Sequence, residues 1–468
     1  MPGKSDITNY ISDKIENRIG GIQLVKIIVI LASVLALSSA DRGALSVTAV
    51  QIEHYFHISK ASFGILGSVS TGVGAVATLP FGFFVDKANR VRLLFWSVSI
   101  WSVAMILSGI AFSYQFLLGS RILLGILTAA AYPAIASLIG DYFKNMNRGS
   151  AYGWILSGEL IGTAIGILIS DVALAVVDSW RSVEFALVIP ALIVAWSLSK
   201  IQEPKRSSRK AVQKPAKGGW NNNTLEENIE KKGITPNNKL ILRDDPLKLS
   251  VWSSIIFILK IPTNQILIAA STLAYFFLTG LEFFAIQFIE DHYHLGHASA
   301  SGIVLLIGAG ALIGLILSGR YSDHLVKIGE INGRIMIPAI GIAASVVLFA
   351  AGISLGSITF AIIFLFLAAL FFAASLSPLD AARLDIMVPR LWGRSESTRS
   401  TVRGVFEALA PVSFGLVSTN VFSGAGSKSL EYTFLIMLIP IFLSSAIITL
   451  ALKTYAKDTA TAISSQHS

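Results

Sequence analysis

The sequence predicts an all-α membrane protein with twelve transmembrane helices in two pseudo-symmetric six-helix halves. Composition, block length and an internal repeat carry this reading. Of 468 residues, 53% are apolar, and the 38 glycines raise that share to about 61%, above the roughly 45–50% of soluble globular proteins. Charged residues are 14% against a usual value of about 25%. That is too few to coat the two or three domains into which a soluble chain of this length would divide. The chain has no cysteine, which excludes a disulfide framework and thiolate metal sites.

The apolar residues fall in blocks of the length a helix needs to cross about 30 Å of hydrocarbon. Twelve are found, at about 24–52, 61–85, 93–113, 115–141, 150–174, 183–200, 265–290, 299–319, 334–355, 358–387, 399–424 and 430–453. Most connections are short, so neighbours run antiparallel. The alternation of a membrane β-barrel is absent, and helices satisfy their own backbone groups in lipid.

Ahead of the first block, MPGKSDITNYISDKIENRIGG lacks the apolar core and cleavage site of a signal peptide. It reads as an amphipathic helix lying on the membrane or as a disordered tail. Residues 201–262 form the one long connection, polar and rich in Pro, Gly and Asn, and read as a flexible linker. Its sequon, Asn222-Asn223-Thr224, falls on the cytoplasmic side, where glycosylation is not expected. Residues 247–260 (LKLSVWSSIIFILK) are too short to span and are expected at the interface. The chain thus divides into a segment 1–23, a bundle 24–200, the linker 201–262, a bundle 263–455 and a tail 456–468.

Lysine and arginine set the orientation. The N-terminus, the even-numbered connections and the C-terminus hold 31 of the 37, odd connections hold Lys60, Arg181 and Lys428, and Arg42, Arg121 and Arg383 sit within spans. Both termini are expected in the cytoplasm, with the chain in a plasma (inner) membrane. The net charge of +9 is then a topology signal and not a nucleic-acid footprint.

The second half repeats the first. At an offset of 237, Phe56-His57-Ile58 meets Tyr293-His294-Leu295, Gly82 meets Gly319 and Asp86 meets Asp323. After a seven-residue insertion Arg90 meets Arg334, Asp141 meets Asp385 and Gly149 meets Gly393. An ordered series sharing one indel points to tandem duplication, with a substrate site between the halves near the midplane.

The connection Gly82-Phe83-Phe84-Val85-Asp86-Lys87-Ala88-Asn89-Arg90-Val91-Arg92 resembles the signature of the major facilitator superfamily, with Asn89 where a second glycine is usual. The resemblance covers the whole chain and implies a conformational latch at Gly82, Asp86, Lys87, Arg90 and Arg92, with Gly319, Asp323 and Arg334 as mates. Ala40-Asp41-Arg42, Arg121-Ile122-Leu123-Leu124-Gly125 and Ala131-Tyr132-Pro133-Ala134 further resemble spinster-like lipid transporters and anion:cation symporters. In both, an acidic residue stands seven after the arginine. Here that position is Thr128.

A charge inside a span costs at least about 2.5–3.5 kcal/mol on insertion scales and needs a partner or a wet cavity. Asp41 lies near the midplane; Arg42 follows it, and neighbours on a helix do not face each other. An Asp41–Arg121 pair across the first and fourth helices is expected. Asp41 would take a proton and the arginines would hold an anionic headgroup; a permanent structural pair is the alternative. Glu282, amid Phe276, Phe277, Phe283 and Phe284, is read as a cavity carboxylate with aromatics lining an apolar substrate. Glu159 and Glu407 are lesser candidates. Asp380, Arg383 and Asp385 read as gate charges or as solvated helix ends. Asp291, His292, His294 and His297 sit in an outer connection, without expectation of a metal.

The chain has no Walker loop, no H-E-x-x-H, no paired aspartates in a Gly-rich span and no Cys/His centre. The expected function is secondary active transport by alternating access, without a cofactor, in a monomer, for a small organic or amphipathic anion coupled to a proton or other ion. Sugars are disfavoured because the cavity candidates are not rich in Asn or Gln. The alternatives are a multidrug or cation antiporter and a non-transporting receptor on a transporter fold.

Overall fold

The computed structural model describes residues 22–58, 60–143, 147–204, 224–243 and 245–467. Segment 1–21, the first part of the linker and the sequon asparagines lie outside the described residues. Among the described residues there is no strand, and twelve helical spans run back and forth. Spans 1 to 6 are Ile22–Phe56, Lys60–Lys87, Arg90–Gly109, Tyr114–Thr128 continued by Ala131–Tyr142, Arg148–Val176 and Trp180–Leu198. Spans 7 to 12 are Pro262–Tyr293, His297–Lys327, Gly333–Ser354, Ile358–Ala373 continued by Leu376–Asp385, Trp392–Leu416, and Ser429–Ile436 continued by Leu438–His467.

Local chemistry sets the ends. Asn89 caps span 3 by accepting from the Arg92 amide at 2.7 Å, and Ser113 caps span 4 by accepting from the Phe116 amide at 3.2 Å. Pro262 opens span 7, where its missing N–H costs nothing. The duplication is visible in the backbone. Spans 1 and 7 are each followed by a histidine at φ 53°, His57 and His294. Spans 4 and 10 break at matching places, Ala129 and Ala374.

Among the described residues, eleven stretches are apolar and long enough to cross a membrane. Span 11 is the exception. Its first two turns bury Arg394, Ser395, Glu396, Thr398 and Arg399 against protein, so its polarity is matched inside the bundle. Arg399 and Arg403, counted in the sequence with the 10–11 connection, are therefore buried helix residues.

Within the first half, span 5 lies against span 1 along a stripe of glycines. A Cβ on Gly158, Gly162 or Gly166 would stand 2.1–2.3 Å from the carbonyl oxygens of Ala32, Ala36 and Ala40, so only glycine allows this approach. Between the halves, span 2 packs on span 11 and span 5 on span 8.

Two sequence expectations need correction. The described part of the linker is not free: Leu225 and Ile229 on the helix Thr224–Lys231 are buried, and the Asn237 and Leu242 amides donate to Thr461 and Ser465. Those acceptors belong to the expected tail, which instead continues span 12 to His467 and buries Asp458, Thr459 and Ala462. Val251–Lys260 is a separate short helix with Ser254 and Ile258 buried and Trp252 and Ile256 exposed.

The glycine stripe gives a packing test. Gly166→Ala is expected to cost about 1–3 kcal/mol through overpacking, seen as a lower melting temperature in detergent. Gly119→Ala, where nothing lies within 4 Å, should leave the melting temperature level or raise it by the roughly 0.5–1 kcal/mol alanine gains in a helix. Equal stability of the two variants would contradict the close approach.

Candidate functional site

Two carboxylates join the halves at the end of the bundle that carries the 2–3 and 8–9 connections, here termed the basic face. Asp86, at the end of span 2, accepts from the Gly393 and Arg394 amides, both at 3.2 Å. Asp323, at the end of span 8, accepts from the Gly149 amide at 3.1 Å and the Ser150 amide at 2.7 Å. Each carboxylate thus occupies the N-terminus of a helix in the opposite half, where unpaired N–H groups and the helix dipole favour negative charge. Small residues permit it. A Cβ on Gly82 would stand 2.1 Å from Ser397 Oγ, and one on Gly319 2.3 Å from the Gly149 carbonyl.

Arginines anchor this ring. Arg90 pairs with Asp141 at 2.5 Å and Glu203 at 2.7 Å. Its mate Arg334 pairs with Asp385 and, at 3.0 Å, with Asp323. Arg148 reaches Asp385 at 3.3 Å from the other half, and Tyr455 donates to the same carboxylate at 2.7 Å. Arg394 Nε lies 3.2 Å from Asp86. Lys87 and Arg92 of the signature are exposed at the helix ends.

Deep in the first half, Arg121 Nη1 donates to Asp41 Oδ1 at 2.7 Å and Nη2 donates to Glu184 Oε1. The expected pair is therefore a triad, with one guanidinium between carboxylates from spans 1 and 6. Arg42 turns the other way. It is exposed, donates to Ser39 Oγ at 2.9 Å, and lies within electrostatic reach of Tyr132, Glu159, Glu282 and Glu407. Those four come from spans 4, 5, 7 and 11. A side chain exposed yet facing ionisable groups from four other spans marks a space between the two halves, here termed the central cavity.

Other groups complete that cavity. Tyr132 donates its hydroxyl to Glu159 at 3.0 Å. Arg403 pairs with Glu407 at 3.0 Å and lies over the Tyr275 and Tyr132 rings at 4.2 and 5.2 Å. Glu282 is exposed and shares the neighbourhood of Arg42, Glu159 and Glu407. Its aromatic surroundings differ from expectation. Phe277 is fully buried, and Phe276, Phe277 and Phe284 cluster on Phe414 at centroid distances of 6.1–6.3 Å. Only Phe283 is exposed, so these rings chiefly build the core of the second half.

Asp380 and Arg383 pair at 2.5 Å, and Arg383 and Arg399 both bond Glu396, all at least nine-tenths buried. Solvated helix ends they are not. His292 Nδ1 stands 3.4 Å from Glu431 and stacks on Phe288, while the His297 side chain lies outside the described residues. No group of three potential metal ligands occurs among the described residues. Sequence reasoning missed Glu184, Glu396, Arg399 and Arg403. Glu184, Glu396 and Arg399 stand in the first two turns of a helix, where a charge reads as a solvated end, and Arg403 follows one turn later.

A family model described as Major Facilitator Superfamily matches residues 31–352. The chain is 25% identical over 297 residues to the D-galactonate transporter of Escherichia coli O6:H1, covering 62% of this chain and 64% of that protein. It is 24% identical over 311 residues to the probable anion transporter 4, chloroplastic, of Arabidopsis thaliana, covering 65% and 55%. It is 23% identical over 322 residues to the probable galactarate/D-glucarate transporter of Bacillus subtilis, covering 65% and 66%. The chain thus spans less than two thirds of the length of these relatives. In fold it is similar to an inward-facing bacterial homolog of the human lysosomal transporter spinster, with TM-score 0.59 and 19% identity over 92% of this chain and 97% of that one. It is also similar to the Escherichia coli fucose:proton symporter, with TM-score 0.65 and 11% identity over 90% and 98%.

The interhalf caps predict a conformational shift. Asp86→Ala removes the acceptor of two amides and the partner of buried Arg394; at about 1.5–3 kcal/mol for hydrogen bonds to a charged group, the open form should gain at least tenfold. Because the chain has no cysteine, a single Ser322→Cys beside Gly149 reports opening by maleimide labelling. Labelling should be faster in Asp86→Ala than in the parent, and unchanged rates would show that the cap does not hold the halves together.

Proposed function

The chain belongs to the major facilitator superfamily, and on that premise we propose that it is a secondary active transporter for small organic carboxylates of the sugar-acid class, driven by a proton gradient. The observation that carries this reading is Arg42, an exposed guanidinium at mid-span inside the central cavity. A planar guanidinium matches a carboxylate bidentately, which favours an acid over a neutral sugar whatever the number of side-chain amides nearby. Relatives named for D-galactonate and for galactarate/D-glucarate support the same class. Clustering of the phenylalanines on Phe414 removes the main support for a greasy, amphipathic substrate.

Coupling follows from charge. Glu159 and Glu282 share the cavity with Arg42, so an anion arriving at Arg42 meets two carboxylates. A proton on one of them lowers that repulsion, and the anion and proton enter together. The basic face is read as cytoplasmic from its lysines and arginines. With the Asp86 and Asp323 caps made, the cavity opens to the opposite side, and transport requires these caps to break while the outer ends close. Glu159 and Glu282 also favour a second reading, export of an organic cation, which substrate choice separates from the first.

In proteoliposomes an inward proton gradient should drive uptake of D-galactonate and not of galactose or an organic cation. Arg42→Ala should raise KM by at least about tenfold, from 1.5–3 kcal/mol for a charge-assisted bond, with little change in melting temperature because Arg42 is exposed. Galactonate uptake indifferent to this substitution would remove Arg42 from the site, and cation transport would favour the second reading.

A further inference from the structure

We propose that Glu184 and Asp41 form a single proton-binding site, sharing one proton across Arg121. The proposal deepens the proton-coupled reading above and rests on it for its part in transport; the site itself is testable without a substrate.

Geometry and charge together point to it. Arg121 is 1% exposed, and it is held between Asp41 on span 1 and Glu184 on span 6. One guanidinium against two ionised carboxylates leaves a net charge of −1 in a buried place, and one added proton makes the group neutral. The atoms left over agree. Glu184 Oε2 is buried without a hydrogen-bond partner, as is Arg121 Nε. An ionised carboxylate with a bare, dry oxygen is costly, whereas a carboxylic acid there is neutral. The Glu184 side chain is 6% exposed and that of Asp41 13%, so Asp41 is the end nearer the water around Arg42.

Among the described residues, the groups that act on Glu184 are Arg121 and Asp41, and the charges of the packed spans lie elsewhere. Span 3, packed on span 6, has its ionisable groups Arg90 and Arg92 at its far end, bonded to Asp141 and Glu203 or exposed. Span 5 offers Asp171, which is exposed, and Glu159, bonded to Tyr132. On span 6 itself, Arg181 donates to the Ala111 carbonyl and covers the Tyr55 ring. Span 1 adds Arg42, turned away from Arg121, and Lys26, Glu53 and His54 toward its two ends; spans 2 and 4 add Lys60, Asp86, Lys87 and Asp141, all at span ends.

The step is an acid–base exchange with no change in covalent framework. A proton from bulk water binds one carboxylate oxygen, that residue becomes a carboxylic acid, and Arg121 keeps its charge and pairs with the other. Protonation at Glu184 leaves Arg121 tied to span 1; protonation at Asp41 leaves it tied to span 6. Release to water on the far side returns the triad to −1. The ion pair therefore changes helices with the position of the proton, which couples a titration to the packing of span 1.

The test uses purified full-length protein in detergent. Infrared difference spectra across a pH step report the C=O stretch of protonated carboxyls, and a pH-indicator dye counts the protons taken up. The wild type should take up one more proton than Glu184→Gln, and one more than Asp41→Asn, with the same carboxyl band missing from both. The double variant should lose no second proton, because the two acids share one. Glu184→Asp, which keeps the charge, should retain the count and move the band, and it serves should the glutamine variant fail to fold. A band lost in only one single variant, losses that add in the double variant, or a count unchanged by Glu184→Gln would each overturn the sharing. Absence of galactonate transport would count against the preceding reading and leave this result standing.

Discussion

Arg90, Arg121, Arg334 and Arg394 are among the largest fully buried side chains, and the bundle is organised by what each needs. A guanidinium stripped of water must meet a carboxylate, and removing one partner of a buried pair typically costs about 3–5 kcal/mol. Arg90 and Arg121 find their acids within their own half. These pairs tie spans 1, 3, 4 and 6 of the first half to one another. Arg394 and Arg148 differ, since their acids, Asp86 and Asp385, belong to the other half.

That difference separates what is fixed from what can open. The Asp86 and Asp323 caps lie at the end of the bundle, beside connections whose lysines and arginines are exposed. When the halves part there, water can replace both the carboxylate acceptors and the amide donors, so the cost is the modest net worth of exchanged hydrogen bonds. Opening the Asp41–Arg121–Glu184 triad would instead strand charges deep in the bundle. Alternating access built from these parts breaks the rim and spares the middle, unless a proton first removes the charge.

The duplication was legible in the sequence because it conserves punctuation: the glycines and aspartates of the 2–3 and 8–9 connections, and the arginines that follow. The paired left-handed histidines and matching breaks in spans 4 and 10 are its backbone counterpart. Facing was not legible. A span that is apolar all round carries little signal of which side meets lipid, so Phe276 and Phe277 read as cavity lining although they pack against Phe414. Depth failed for a related reason. Glu184 and Arg403 stand within a few turns of a helix start, and only tilt and the length of neighbouring spans decide whether such a position is wet. The one orientation that elementary geometry did give was that of Asp41 and Arg42. Adjacent helical residues diverge, and these two point to the triad and to the cavity.

The halves resemble each other at the rim and differ in the middle of the bundle. Asp86 and Asp323 make the same caps, and Arg90 and Arg334 make the same kind of anchor. At the depth of the triad the likeness ends. The offsets that align the halves place Leu278 and Thr279 opposite Asp41 and Arg42, and Leu365 opposite Arg121. The second half fills that region with Phe277, Phe349 and Phe414. Symmetric closure needs symmetric parts, since each rim contact is the twofold image of the other. Inside the bundle no such image is required, and the second half carries Glu282 and the Arg403–Glu407 pair on spans 7 and 11 in place of a copy of Asp41 and Arg42. Charge kept at different places in the two halves is what duplication leaves behind once the copies need to match only at the rim.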